Sequence, residues 1–143
     1  MTHQEITTRK GSLFMIDQKC YSFNPDSHKN RLNIKFKHKP FTAADAKQFV
    51  EDQRKAFKHL QPGITILSDL SEGKMFSMEV GNIIAIAQKE AVEFGITRDA
   101  RILSESALAN MSIQKGDESS GLSKHLKYFS KHQEGEAWLD EVS

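Results

Sequence analysis

The segment Ile64–Thr65–Ile66–Leu67 constrains the fold more than any other part of the 143-residue chain. Pro62–Gly63 ends the helix before it, and the four residues that follow are apolar or β-branched without interruption. A short unbroken apolar run after such a turn reads as a strand covered on both faces, because a half-exposed strand would alternate. This is the expected central strand of an open α/β sheet. It runs out into Asp69 and Ser71, at the carboxyl edge where ligands and regulatory contacts gather in such sheets.

The rest of the chain arranges itself around that strand. Residues 1–12 are polar and read as a flexible lead-in, with a single domain over 13–143. Phe14, Ile16, Tyr21 and Phe23 mark a first strand whose apolar parity changes across Asp17–Lys19, which suggests a bulge or break. Asn24 to Asn30 is a dense turn signal. Beyond it Leu32, Ile34 and Phe36 alternate with Asn33, Lys35 and Lys37. This second strand completes an antiparallel hairpin and is expected nearer a sheet edge, its lysines guarding that edge.

Two helices stand out. Thr42 and Asp45 approximate a capping box for a helix running to about His59. Ala46, Phe49, Val50, Gln53 and Phe57 fall on its inner face, and Asp52 is placed on its surface. Ser77 caps a second helix to about Phe94, with Ile83, Ile84, Ala87, Ala91 and Phe94 as its stripe and Gly95 as its terminator. Ala100–Leu103 reads as a further buried strand, and Ala107, Leu108 and Met111 as the start of a short helix. Lys115–Ser123 reads as a loop. Leu126, Tyr128 and Phe129 form a last strand, and Ala137, Trp138, Leu139 and Val142 the apolar face of a last helix. The predicted fold is therefore α/β: a mixed four- to five-stranded sheet, with an N-terminal antiparallel hairpin followed by βα units and right-handed crossovers.

No apolar run reaches the roughly 18–20 residues of a membrane span. The N-terminus shows no secretory signal, and the lone Cys20 reads as an inert buried thiol, so a cytoplasmic protein is expected. Net charge is only +1, but residues 1–60 hold 12 Lys/Arg against 6 Asp/Glu, whereas residues 61–143 hold 8 against 13. Such a dipolar chain can pair with its own kind, so a homodimer is one expected state. Lys35, Lys37 and Lys39 have no exposed aromatics between them, which argues against a nucleic-acid surface.

The element order, Pro62–Gly63 before the central strand, Asp69–Leu70–Ser71 at its end, and Lys127–Tyr128–Phe129 followed by Glu136–Ala137–Trp138–Leu139 together carry a resemblance. From Phe14 to Val142 the chain resembles the STAS fold of sulphate transporters and anti-sigma-factor antagonists. It is more closely similar to a bacterial STAS-like group also compared with the CRAL-TRIO lipid-binding fold. The resemblance implies a regulatory or protein-interaction module. Antagonists of that family carry an Asp-Ser-Ser-Gly type phosphoacceptor where the loop meets the second helix. This chain reads Glu72–Gly73–Lys74–Met75–Phe76–Ser77–Met78 there, so the motif is absent.

The six histidines show no metal-ligand spacing, and no nucleophile elbow, P-loop or dinucleotide fingerprint is present. Neither an enzyme nor a cofactor or metal is expected. Two functions remain. One is a module that binds a protein partner through Asp69, Ser71 and Ser77. The alternative is a carrier for a small apolar or lipid-like ligand, held in a cleft beside Met75, Phe76, Met78 and Ile83.

Overall fold

A computed structural model describes residues 3–8, 11–73, 76–109 and 121–142. In chain order these form β1 (His3–Thr8), β2 (Gly11–Asp17), β3 (Tyr21–Asp26), β4 (Arg31–Phe36), α1 (Ala43–Phe57) and β5 (Ile64–Asp69). There follow α2 (Met78–Phe94), β6 (Ile96–Ile102), α3 (Glu105–Ala109), a 3-10 turn (Leu122–His125), β7 (Leu126–Phe129) and α4 (His132–Asp140). Lys74, Met75 and Met111, and the expected loop from Lys115 up to residue 120, lie outside the described residues.

All the strands join one mixed sheet in sequence order. β1 to β4 pair antiparallel, and β4 to β7 pair parallel. The α/β class, the N-terminal hairpin and the βα units are as the sequence predicts. The strand count is higher than the four or five expected: β2 to β7 make six, and β1 adds a seventh at the β2 edge. One of the additional strands comes from the break at Asp17–Lys19. It is a full chain reversal, closed by the Gln18 N–H donating to the Tyr21 carbonyl at 2.8 Å. The other is β1, formed by residues read as lead-in.

That reversal also corrects the place of β4. It lies between β3 and β5, in the interior of the sheet and not near an edge. The lysines expected to guard an edge are instead engaged. Lys35 pairs with Glu72 at 2.9 Å, and Lys37 meets Asp17 and the Gln18 carbonyl. Pro25 is tolerated in β3 because the ladder to β2 covers only Ser22 and Phe23. At Pro25 no N–H is needed on that side.

Alternation along the strands sorts the core into two layers. Leu32, Ile34, Phe36, Ile64 and Ile66 face α1 and α2, which pack on each other over a large apolar cluster. Leu67, Ala100 and Ile102 face the other way, against Leu139 of α4. From Ile64 to Ser68 every residue of β5 is buried, as an unbroken apolar strand requires.

The helix ends follow their caps. Thr42 and Asp45 complete a reciprocal capping box, and the Ser77 hydroxyl accepts from the Val80 N–H at 3.2 Å. Gly95 closes α2 at φ 112°. A Cβ there would stand 3.3 Å from both Pro62 Cβ and the Gly63 nitrogen, so the turn admits only glycine comfortably.

The spacing along α1 predicts Asp52 on the surface, yet it is only 1% exposed. It accepts hydrogen bonds from the Tyr21 hydroxyl at 2.7 Å, Gln18 Nε2 at 3.1 Å and Gln48 Nε2 at 2.8 Å. A buried carboxylate is tolerated only when it is satisfied in this way. The network ties α1 to the strands beneath it. Burial, followed by the hydrogen bond to Asp52, raises the Tyr21 hydroxyl far above its ordinary pKa. β6 begins at Ile96, before the expected Ala100. On α4, Ala137 is exposed and Trp138 half-buried, and Val142 lies exposed beyond its end, so Gly135 and Leu139 form its buried contact.

Candidate functional site

The expected site residues occupy the connection from β5 into α2. Where β5 emerges from the core, Asp69 folds the chain back by accepting from the Ser71 N–H at 3.0 Å and the Ser71 hydroxyl at 2.6 Å. This is an Asx turn, and it accounts for Asp69 as a turn ligand. Glu72 reaches back to Lys35 of β4, and that hydrogen bond, with the charge behind it, raises the Lys35 ammonium above its ordinary value. The Gly73 N–H donates to the Leu70 carbonyl at 3.1 Å. Phe76 then anchors the connection, its ring 5.6 Å from Phe36 and 5.1 Å from Phe41.

Ser77 turns the chain into α2, and its hydroxyl is committed to the cap. The inward stripe of α2 is Val80, Ile84, Ala87 and Ala91. Met78 stands two residues before that stripe, about 200° away around the helix, and is 84% exposed. Ile86 on the same outer side is 48% exposed. Ile83 is half-buried against the large core. Four residues were therefore expected to line one cleft, and the three described have separated. Phe76 lines a cavity, Ile83 packs on the core edge, Met78 stands in solvent, and Met75 is outside the described residues.

The cavity has a volume of about 70 Å³ and lies between the sheet and α1–α2. Ile34, Phe36, Phe49, Ile66 and Ile84 make its apolar side. On the same sheet face Ser68 of β5 and Asp99 and Arg101 of β6 also line it. Ser68 and Asp99 are 6% and 3% exposed. The Ser68 hydroxyl donates to Asp99 Oδ1 at 3.4 Å, and Arg101 Nε is 3.6 Å from Asp99 Oδ2. Gln53 of α1 crosses the interior to donate to the Ala87 carbonyl at 2.8 Å.

Sequence reasoning did not single out Ser68, Asp99 or Arg101. The available signal was the opposite charges two residues apart in Asp99–Ala100–Arg101. Alternate positions of a strand share a face, and in a strand flanked on both sides by others that face is covered.

Elsewhere Cys20 is buried. Desolvation, followed by the nearby Asp45 carboxylate, pushes its thiol up to about 11, away from a reactive thiolate. Among the described residues no cluster of three or more His, Cys, Asp or Glu could hold a metal ion, and no helix is long and apolar enough to cross a membrane.

No protein-family model matches the chain, and no curated protein matches it.

Proposed function

We propose that the chain is a STAS-like regulatory module of the cytoplasm that engages a protein partner through the β5–α2 connection and the first turn of α2. The observation that carries this reading is Met78, an unbranched apolar side chain 84% exposed at the start of a capped helix. An adaptable thioether on a rigid support suits a recognition surface. Ser71, Glu72, Ser77 and Glu79 are exposed around it and supply a polar rim. Phe76 and the Ser77 cap hold the surface in shape before any partner arrives, which limits the ordering cost of binding.

The carrier reading draws on the cavity beneath α2. At about 70 Å³ it is far below the roughly 300 Å³ at which drug-sized ligand pockets begin. That size favours the partner surface over a lipid-like cargo.

A photo-crosslinking residue at position 78, with one at the exposed Lys58 just past the end of α1 as control, tests the proposal in the native host. The expected result is a discrete adduct from position 78 alone, and an adduct of twice the chain mass would identify a second copy as the partner. Identical adducts from both positions, or none from position 78, would overturn it.

A further inference from the structure

We infer that the half of the second sheet face that α4 leaves uncovered binds a neutral sugar, through adjacent hydroxyls and the C–H face of its ring. This site stands apart from the partner surface at Met78. α4 covers Leu67, Ala100 and Ile102, and beside its first residue, His132, a trough crosses β3, β4 and β5. Two rows of side chains form the floor. Asn24 of β3 stands directly opposite Asn33 of β4, which neighbours Leu67 of β5. Ser22 stands opposite Lys35, which neighbours Asp69. Neighbouring strands lie about 4.8 Å apart and alternate residues about 7 Å, so the floor measures about 10 Å by 7 Å, the outline of a single hexose.

Two asparagines opposite one another in interior strands are disfavoured, since strands select β-branched and aromatic residues there. The fold uses only part of them. Asn33 donates through Nδ2 to the Asn24 carbonyl at 3.2 Å, which holds its amide in place. Among the described residues nothing bonds to Asn33 Oδ1, the Asn24 carboxamide or the Ser22 hydroxyl. All three residues are open to solvent, Asn24 fully and the others in part. The charged groups, by contrast, are engaged. Lys35 pairs with Glu72 at 2.9 Å, Asp69 accepts from the Ser71 hydroxyl at 2.6 Å, and His132 Nδ1 lies 3.3 Å from Glu136. The groups that a ligand can meet are therefore mainly uncharged.

A carboxamide presents a donor and an acceptor side by side, a pattern that two adjacent sugar hydroxyls complete. Asn24 offers both, Asn33 offers an acceptor, and the Ser22 hydroxyl serves either role. Leu67 and the half-buried Met15 give the C–H face of the ring an apolar contact. Paired strands hold these groups in position beforehand, which limits the ordering cost of binding. The lining ammonium, Lys35, is already paired with Glu72 and neighboured by Asp69, so an anionic ligand gains little there.

The test is an NMR titration of the whole chain with the methyl glycosides of glucose, galactose and mannose, and with glucuronate and inorganic phosphate as charged probes. At least one glycoside should give saturable shifts at the Asn24 and Asn33 side-chain amides and the Met15 methyl. Glucuronate and phosphate should need at least about tenfold more for half-saturation. Asn24→Ala and Ser22→Ala should each weaken that glycoside about fivefold, the worth of one ordinary hydrogen bond. Both side chains reach solvent, so the dispersed spectrum should be retained. If one variant does not fold, the other carries the comparison. Shifts linear in concentration for all three glycosides, shifts centred outside the trough, half-saturation by glucuronate or phosphate at or below the glycoside's concentration, or an affinity unchanged by the substitutions would each overturn the inference.

Discussion

The two faces of the sheet are fastened by different physics. Under α1 and α2 the described residues form one apolar cluster of 22 buried side chains, whereas the cluster under α4 has four. On the first face aromatic rings interlock: Phe49 lies within 5.5 Å of Tyr21, Phe23 and Phe36. On the second, polar clamps stand where apolar area is short. Arg31, buried in β4, donates to Thr65 Oγ1 at 2.9 Å and to Asp140 Oδ1 at 2.8 Å. Arg98 donates to the Trp138 carbonyl and to Glu141, and lies 4.6 Å over the Trp138 ring. Gly135 brings α4 close to the sheet, since a Cβ there would come 2.7 Å from Ile102 Cδ1. Burial is non-directional and scales with area, while clamps depend on a few exact partners. α1 and α2 should therefore belong to the global folding unit, and α4 should open on its own at lower free energy.

Core truncation gives the largest expected effects and the sharpest break point. Phe49→Ala, at the centre of the aromatic cluster, should cost about 3–5 kcal/mol. Leu139→Ala should cost about 2–3 kcal/mol, near the lower end for such truncations, because α4 can lift away without unfolding the rest. Denaturant unfolding gives both numbers. Native-state amide exchange should show Trp138 and Leu139 opening below the global free energy while Val50 and Ile66 exchange only through it. Equal exchange free energies on the two faces would dissolve the contrast.

Legibility in the sequence follows the same division. α1, α2 and the centre of β5 were readable because capping residues, stripes of helical period and an unbroken apolar run are local signals. β1, the reversal at Gln18 and the interior position of β4 were not, because they depend on which strand pairs with which. β4 alternates like a half-wet strand because α4 leaves part of that sheet face open, and in sequence that alternation looks the same as an edge strand's. Asp52, Asp99 and Arg101 escaped for a related reason. A charged residue reads as surface until its buried partner is known, and Tyr21 lies 31 positions from Asp52 in the chain. At the candidate site Ser77 was legible as a cap. The cleft was not, since the β5–α2 connection turns Phe76 inward and Met78 outward within two residues.

The capping box places one polar device on the apolar face, and its pH response has a definite sign. Against the desolvation of its partial burial, hydrogen bonds from the Thr42 backbone and side chain and from Cys20 hold the Asp45 carboxyl below its ordinary value of 3.8. A carboxyl whose folded pKa is depressed stabilises the fold fully above its unfolded pKa, and that contribution is lost as pH falls through the folded pKa. Asp45→Ala should therefore destabilise by about 1 kcal/mol at pH 7. The gap to wild type should narrow below about pH 4 as the wild-type carboxyl protonates. Urea midpoints at pH 7 and pH 3 measure it. A gap that widens in acid would show that the residue acts through packing instead.

The smallest expected effect probes the ends of the helices. α1 and α2 are capped by Thr42 and Ser77, while α4 starts at Lys131 without a side-chain cap hydrogen bond. Lys131 has φ −119° and ψ 128°, extended backbone of the kind an N-cap residue uses, so the position lacks only an acceptor. A cation there also faces the positive end of the helix dipole. Lys131→Ser should stabilise α4 by about 0.5 kcal/mol, and Lys131→Asp by somewhat more because its charge has the favourable sign. If α4 opens separately, this gain should appear in the exchange free energies of Trp138 and Leu139 and barely in the global unfolding midpoint. Ser77→Ala supplies the converse. It should lose about 1 kcal/mol, and the loss should appear in the global midpoint because α2 covers the large cluster. A Lys131→Ser gain that appears in full in the global midpoint would mean that α4 and the sheet unfold as one, and that the clamps of Arg31 and Arg98 hold as firmly as the aromatic core.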